Sequence, residues 1–227
     1  MISFKGAQFP KDVILHAMYF YLRYGVSYRD LEEILAERGV VVDHATLNRW
    51  VIKYSPLLAI QAHAAKRRTN HSWRMDETYV RVKGSWKYLY RAVDKYGNTL
   101  DFMLSERRNT AAAKKFFANA LASNGIPKKI VIDKSGANKA GIREVNRIFR
   151  RLGCPVSVQA VQSKYLNNLV EQDHRFIKRR IRNMGGFGSF SGASDTLAGI
   201  EVANMIRKLQ FANPKLSGFR QFVEIAG

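Results

Sequence analysis

Residues 73–94 read WRMDETYVRVKGSWKYLYRAVD, and this stretch decides the fold. Two runs rich in aromatic and β-branched residues lie on either side of Gly84-Ser85, so the pattern predicts two antiparallel strands joined by a tight turn. A third run of this kind, 98–106, follows a second turn at Tyr96-Gly97-Asn98. The three runs together predict a three-stranded antiparallel meander.

Helical and strand patterns alternate after the meander. The predicted elements are a helix over 111–123, a buried strand over 128–133, a helix over 140–152, a strand over 155–161, a long helix over 164–182 and a helix over 196–211. A meander followed by this alternation predicts an α/β layer with a mixed five-stranded sheet. The same order is found in ribonuclease-H-like domains, so we expect that fold.

The residues before the meander read as helices. Apolar patterns predict helices over 10–24 and over about 28–38, the second capped by Ser27. Asp43 can cap a third helix over 44–54, which Pro56 would end. The order predicts a helix-turn-helix, with DNA contacts from the third helix through His44, Thr46, Asn48 and Arg49. The alternative is a three-helix bundle that binds no DNA.

These patterns predict four segments. They are a helix-turn-helix domain over 1–56, a linker over 57–70 that starts as a helix and becomes basic, a ribonuclease-H-like catalytic domain over 71–190, and a C-terminal helix and tail over 191–227 that pack on the core.

The charge of the chain points to a polyanionic partner. The 227 residues include 38 Lys and Arg against 18 Asp and Glu, a formal net charge of +20. Nucleic acid is therefore the expected partner rather than a membrane, because the longest apolar run, 13–22, is too short to span a bilayer. The single cysteine, Cys154, excludes an internal disulfide and is expected to be inert. We expect a soluble, cytoplasmic protein.

Three acids stand where a metal site is expected. Cleaving a phosphodiester bond with two metal ions requires carboxylates that converge on one point. Asp76 lies in the first strand, Asp133 ends the fourth, and Glu171 lies on the helix after the fifth. In a ribonuclease-H-like sheet the first and fourth strands are neighbours, so Asp76 and Asp133 can meet and the helix can bring Glu171 to them.

Other acids are weaker candidates. Glu77 should point to the face of the strand opposite Asp76. Asp94 and Asp101 flank a turn and are expected to have turn or surface roles. Asp173 lies about 200° around the helix from Glu171 and should not share its site. Trp73 and Trp86 are both expected to lie in the core, and the alternative is that they stack on bases.

The helix over 164–182 carries a row of cations beside Glu171. Arg175, Lys178 and Arg182 fall within about 40° of Glu171 on a helical wheel, and an apolar stripe adjoins them. The row can bind DNA phosphates while Glu171 helps to hold a metal ion. The alternative is an exposed helix stabilised by a Glu171–Arg175 pair.

Four stretches together resemble a bacterial insertion-sequence transposase, specifically the insertion-sequence-six family of DDE transposases. They are SKYLNNLVEQDHRFIKRR (163–180), WRMDETYVRVKGSWKYLYRAVD (73–94), VIDKSGAN (131–138) and YGVSYRDLEEILAERGVVVDHATLNRW (24–50). The resemblance implies that Asp76, Asp133 and Glu171 are a catalytic triad that binds two Mg²⁺ ions, with Mn²⁺ as a substitute. It also implies that Lys178 lies near the scissile phosphate and that the helix-turn-helix binds the terminal inverted repeats.

Two features depart from the family pattern. Asp133 and Glu171 lie 38 positions apart, a few more than is usual, and we expect the surplus in a loop over 151–163. The segment NMGGFGSF (183–190) is unusually rich in glycine.

The sequence thus predicts a DNA transposase that cuts at the element ends and joins the freed 3′ ends to target DNA, through a replicative cointegrate if the family route holds. Because two DNA ends must be brought together, we expect at least a homodimer. The rival interpretations are a helix-turn-helix regulator without catalysis and a ribonuclease-H-like nuclease without strand transfer.

Overall fold

The computed structural model describes residues 1–134 and 136–227, and the chain divides into two compact units. Unit 1 combines Met1–Arg67 with Phe176–Gly227, and unit 2 is Arg68–Arg175. This division differs from the expected domain bounds, because residues 176–227 group with the N-terminal helices rather than with the sheet.

Unit 2 is built on a mixed sheet. Its strands are β1 (Ser72–Val82), β2 (Ser85–Asp94), β3 (Thr99–Ser105), β4 (Lys129–Ile132) and β5 (Gln159–Gln162). They lie in the order β3-β2-β1-β4-β5. Strands β1, β2 and β3 are antiparallel, whereas β4 is parallel to both β1 and β5. The predicted mixed five-stranded sheet with ribonuclease-H-like strand order is confirmed.

A two-residue loop fixes the register of the first hairpin. Lys83 and Gly84 have φ of 48° and 74°, as a type I′ turn requires, and Val82 pairs with Ser85 across the loop. Trp73 therefore pairs with Asp94 at the far end. This register sets which residues of β1 and β2 share a face.

Two helices cover one face of the sheet. These are α4 (Thr110–Asn124) and α5 (Gly136–Arg151). They bury a core with Trp73, Met75 and Tyr90 of the sheet. Trp73 is 1% exposed, so its predicted core position is confirmed. Trp86 is 62% exposed, so its predicted core position is wrong.

Helix α6 (Lys164–Asn183) begins in unit 2 and ends in unit 1. Within unit 2, the buried Asn167 donates from Nδ2 to the Met75 carbonyl at 3.2 Å. Asp173 forms an ion pair of 2.7 Å with Arg91 of β2, whose side chain is 1% exposed. These contacts hold the first half of α6 against β1 and β2.

Unit 1 is helical. Besides residues 176–183 of α6, it contains α1 (Lys11–Arg23), α2 (Tyr28–Ala36), α3 (His44–Ala65), α7 (Phe190–Arg207) and α8 (Gly218–Ala226). The predicted caps are confirmed: Ser27 and Asp30 form a capping box on α2, and Asp43 accepts from the first turn of α3. The helix-turn-helix interpretation of α2 and α3 stays a prediction.

Helix α3 continues through Pro56, so the prediction that it ends there is wrong, and most of the expected linker is helical up to Ala65. Proline removes one hydrogen bond and costs about 3 kcal/mol in a helix interior. Burial of Tyr54, Leu58 and Ala62 on both sides of the proline offsets this cost. Within the part of the chain that the structure describes, no helix has both the length and the apolar character needed to cross a bilayer.

Candidate active site

Three carboxylates of unit 2 come together beside the end of β4. Asp76, Glu77 and Asp133 each offer a carboxylate oxygen, and these oxygens lie within 4.8 Å of one another. The last pair between β1 and β4 is Arg74 with Val131, so Asp76 and Asp133 both lie two residues beyond it. The predicted meeting of Asp76 and Asp133 thus has its structural basis in the parallel register.

Glu77 also belongs to this carboxylate group, although its position on β1 predicted that it would point away from Asp76. Alternation along β1 does turn the Cβ of Glu77 to the face opposite Asp76. Strand β4, however, pairs with β1 only as far as Arg74. At the level of Asp133, β4 therefore no longer lies beside β1 to keep the two faces of the sheet apart. Both carboxylates can therefore reach the same space.

Arg108 and Asn138 hold Glu77 in place. Arg108 donates from Nη2 to Glu77 Oε2 at 3.4 Å and to Asp133 Oδ2 at 3.2 Å. Asn138, which is fully buried, donates from Nδ2 to Glu77 Oε2 at 3.2 Å. Glu77 Oε1 and Asn138 Oδ1 are buried and have no hydrogen-bond partner among the residues that the structure describes. The guanidinium of Arg108 thus occupies a position where positive charge is strongly favoured.

The carboxylate group disfavours further negative charge. Burial, followed by the charge of Glu77 and then by those of Asp133 and Glu171, raises the pKa of Asp76 to about 7. Burial also raises the pKa of Glu77, although Arg108 and Asn138 oppose the shift. A site with these properties gains most from a bound cation.

Glu171 lies on the side of α6 that faces β1, although it is exposed and is not part of the carboxylate group. Asn167, one turn before it, bonds to the Met75 carbonyl. His174, three residues after it, places Nδ1 3.7 Å from Asp76 Oδ2. Residues three and four apart share a helix face, so Glu171 lies between two residues that contact β1. Its effect on the pKa of Asp76 agrees with this placement.

The other acids have structural roles. Asp173 pairs with Arg91, in agreement with its expected separation from Glu171. Asp94 is buried and accepts hydrogen bonds from the backbone N–H groups of Tyr96 and Asn98, which orders the turn after β2. Neither acid belongs to the carboxylate group.

The residues present fit a divalent cation. Hard cations such as Mg²⁺ prefer carboxylate oxygens, and three carboxylates supply them here. Glu77 Oε1 is a buried acceptor for which the described part of the chain supplies no donor, and Arg108 already brings one positive charge to the group. The donor set therefore suits a metal ion bound by Asp76, Asp133 and an acid beside them.

The expected DNA-binding residues of α3 lie at its exposed start. His44 Nδ1 lies 3.1 Å from Glu32 Oε2, and both groups are partly exposed. Thr46 Oγ1 donates to the cap residue Asp43 at 2.6 Å and accepts from Arg49 Nη2 at 2.5 Å. Asn48 is exposed. These side chains are available at one helix end and are ordered by Glu32 and Asp43.

The three cations expected on α6 are all exposed. Arg175 lies in unit 2, whereas Lys178 and Arg182 lie in unit 1. A fourth cation of this helix, Arg180, is buried and donates to the carbonyls of Tyr21 and Leu22 at the end of α1. Arg180 therefore stabilises unit 1 and is unsuited to DNA contact.

Sequence reasoning missed Arg108, Asn138 and His174. Asn138 and His174 lie inside the stretches that carried the family resemblance, which is the one signal that could have marked them. Arg108 precedes Asn109, the cap of α4, and a basic residue before a helix cap carries no functional signal by itself.

Comparison with known proteins identifies the family. Residues 70–210 match a family model described as a DDE domain. The chain is 40% identical over 227 residues to the transposase for insertion sequence-like element IS431mec of Staphylococcus aureus strain N315, covering 100% of this chain and 98% of the relative. The transposase for insertion sequence element IS257 in transposon Tn4003 of Staphylococcus aureus gives the same identity and coverage.

Among solved structures, the catalytic core domain of BIV integrase aligns with a TM-score of 0.45 and 15% identity, over 68% of this chain and 95% of that chain. The match of the family model and the full-length similarity to the staphylococcal transposases are decisive. The chain therefore belongs to the insertion-sequence-six family of DDE transposases.

Proposed function

We propose that this transposase cleaves one DNA strand at each terminal inverted repeat of its element and joins the freed 3′ end to target DNA. The observation that carries the proposal is the meeting of Asp76 and Asp133 in one carboxylate group. In-line attack on a phosphodiester requires positive charge at such a point, because both the attacking and the leaving oxygen carry negative charge.

Asp76 and Asp133 are the proposed metal ligands, and Glu171 completes the set from α6. Two bound Mg²⁺ ions, or Mn²⁺ in their place, would activate the attacking oxygen and stabilise the leaving one. Glu77 is held by Arg108 and Asn138, so it supports the group rather than replacing Glu171. His174 positions Asp76 from the side of α6.

The exposed cations are the proposed phosphate contacts. Arg175, Lys178 and Arg182 follow Glu171 on α6, and Lys178 is the candidate for a contact beside the scissile phosphate. Their exposure leaves these side chains available to a DNA backbone, and the net charge of +20 favours binding.

The start of α3 is the proposed reader of the terminal repeats, through His44, Thr46, Asn48 and Arg49. A helix that presents its first turns to the major groove reads base edges with such side chains. We further propose that at least two copies act together on the paired ends, that the product is a replicative cointegrate, and that the protein works in the cytoplasm where the nucleoid lies.

A strand-transfer gel tests the proposal. Labelled element-end DNA is incubated with target DNA, with Mg²⁺ or with EDTA, and with wild type or the Asp76→Asn variant. We expect Mg²⁺-dependent cleavage and joining by wild type, whereas Asp76→Asn binds the ends but neither cuts nor joins. Glu144→Gln, which alters an acid of α5 paired with Arg147, is the control and should behave as wild type.

Three outcomes would overturn the proposal. Cleavage without any joined product would indicate a nuclease. Activity that survives both Asp76→Asn and Asp133→Asn would show that the carboxylate group is not catalytic, and end binding without any cleavage by wild type would indicate a regulator.

A further inference from the structure

The tip of the first hairpin carries an exposed aromatic patch formed by Tyr79, Trp86 and Tyr88. Tyr79 is 52% exposed and Trp86 is 62% exposed. The ring of Tyr79 lies 5.4 Å from that of Tyr88 and 6.3 Å from that of Trp86, measured between centroids. The rings therefore support one another while their outer surfaces remain in water.

The aromatic patch lies next to the carboxylate group along the sheet. Tyr79 follows Glu77 by two residues, so it lies on the same face and about 7 Å further along β1. Tyr88 pairs with Tyr79, and Tyr90, two residues after Tyr88 on β2, pairs with Glu77. Arg108, which bonds to Glu77 and Asp133, lies at this end of the patch. The patch thus begins where the carboxylate group ends.

Positive charges border the aromatic patch on the sides away from the carboxylate group. Arg81 lies directly opposite Trp86 in the sheet and is exposed, as is Lys83 in the turn. Arg108 borders the patch on its other side. Glu106 is engaged with Lys87 at 3.8 Å, and Lys87 points to the face opposite the rings. An occupant must therefore combine negative charge with flat apolar surface.

Unpaired DNA meets both requirements. A single strand exposes base faces, which stack on aromatic side chains, and carries a phosphate at every nucleotide. In an intact duplex the bases already stack on one another and cannot reach these rings.

We propose that the aromatic patch binds unpaired bases of the DNA strand that passes the carboxylate group. The inference deepens the proposed function, because the strand must enter that group. Tyr79 and Trp86 are the stacking residues, and Arg81 and Lys83 contact the adjoining phosphates.

Binding measurements in EDTA test the inference apart from catalysis. The probes are a labelled blunt element-end duplex and the same duplex with a single-stranded extension of about four nucleotides. Wild type should bind the extended duplex about 5- to 100-fold more tightly. Trp86→Ala and Tyr79→Ala should each remove most of this preference and leave binding of the blunt duplex unchanged.

Tyr96→Ala is the matched control. Tyr96 is 70% exposed and has Lys95 over its ring, but it lies in the turn at the other end of β2. This variant should keep the full preference for the extended duplex. Equal preferences in wild type and Trp86→Ala, or an equal loss in Tyr96→Ala, would overturn the inference. Circular dichroism confirms that each variant is folded.

Tryptophan fluorescence gives a second readout. Trp50 and Trp73 are 8% and 1% exposed, so acrylamide quenches Trp86 selectively. Oligothymidine should protect Trp86 from quenching in wild type, and unchanged quenching would contradict stacking.

If the extension preference depends on Trp86 but wild type never cuts or joins DNA, the proposed function fails and this inference stands. If wild type cleaves and joins DNA but shows no preference for the extended duplex, the proposed function stands and this inference fails.

Discussion

At the scale of single residues, Asp76 is the side chain on which the site depends. Its carboxylate is 15% exposed and lies among Glu77, Asp133 and the charge of Glu171, with His174 as a close partner. Burial and like charge together raise its pKa to about 7. The ion-free protein therefore keeps a carboxyl group whose ionisation opposes folding.

The stability of the ion-free protein should fall as pH rises. The pKa of Asp76 is raised in the folded state, so its contribution to stability is complete below its unfolded pKa near 4 and is lost as pH rises to about 7. The loss is on the order of 4 kcal/mol if nothing else changes. Urea unfolding in EDTA at pH 5 and pH 8 measures it.

Asp76→Asn should flatten this dependence, because an amide does not ionise. Glu77 retains a shift in the same direction, so a smaller slope should remain. Glu144→Gln serves as the control and should follow wild type. An Asp76→Asn variant with the full wild-type slope would show that Asp76 ionises normally.

At the scale of elements, helices α4 and α5 of unit 2 approach each other closely at one point. A Cβ on Gly141 of α5 would lie 2.9 Å from the Cβ of Ala113 and 3.3 Å from the backbone of α4. A Cβ on Gly136, at the start of the same helix, would meet nothing within 4 Å. The α4–α5 contact thus requires glycine at one position only.

Gly141→Ala should lower the free energy of unfolding by about 1–3 kcal/mol, since backbone atoms cannot move aside as a flexible side chain can. Gly136→Ala should be neutral or stabilising, because alanine favours helix and has free space there. Thermal unfolding of the two variants under identical conditions measures the difference. Equal stabilities would contradict the close contact.

Local signals made the hairpin of β1 and β2 predictable. Alternating residues and a turn glycine act within a few positions, so the sequence alone specifies the hairpin. The loop itself is Lys83-Gly84, one residue before the predicted Gly84-Ser85. Two predictions were wrong because they depend on non-local packing. Burial on both sides of Pro56 keeps α3 intact, and α4 and α5 leave Trp86 exposed at the hairpin tip.

The candidate site was predictable to a similar extent. Asp76 and Asp133 could be paired because parallel strands align their ends. The presence of Glu77 in the carboxylate group could not be predicted, because it depends on where the pairing of β1 with β4 ends. The contacts of Arg108 depend on a loop conformation that no local pattern specifies.

At the scale of the whole molecule, unit 1 is assembled from both ends of the chain. Helix α7 lies at its centre: twelve of its residues are buried, and Gly199 comes so close that a Cβ would lie 2.5 Å from Ser55 Oγ of α3. Helices α1 to α3 therefore depend on a segment that follows unit 2 in sequence.

A fragment of residues 1–67 should be largely unfolded, because it lacks α7 and α8 and leaves the apolar faces of α1 and α3 in water. Addition of a fragment of residues 176–227 should restore helical circular dichroism. A fragment of residues 68–175 is the comparison and should fold alone, since it contains the core of unit 2. Cooperative unfolding of fragment 1–67 by itself would contradict this dependence.

The same arrangement has a consequence during synthesis. Helices α1 to α3 leave the ribosome first, yet α7 emerges only after the sheet has been made. A nascent chain therefore carries an incomplete unit 1 until α7 has been made. Products that terminate before α7 leave the apolar faces of α1 and α3 without their partner helix.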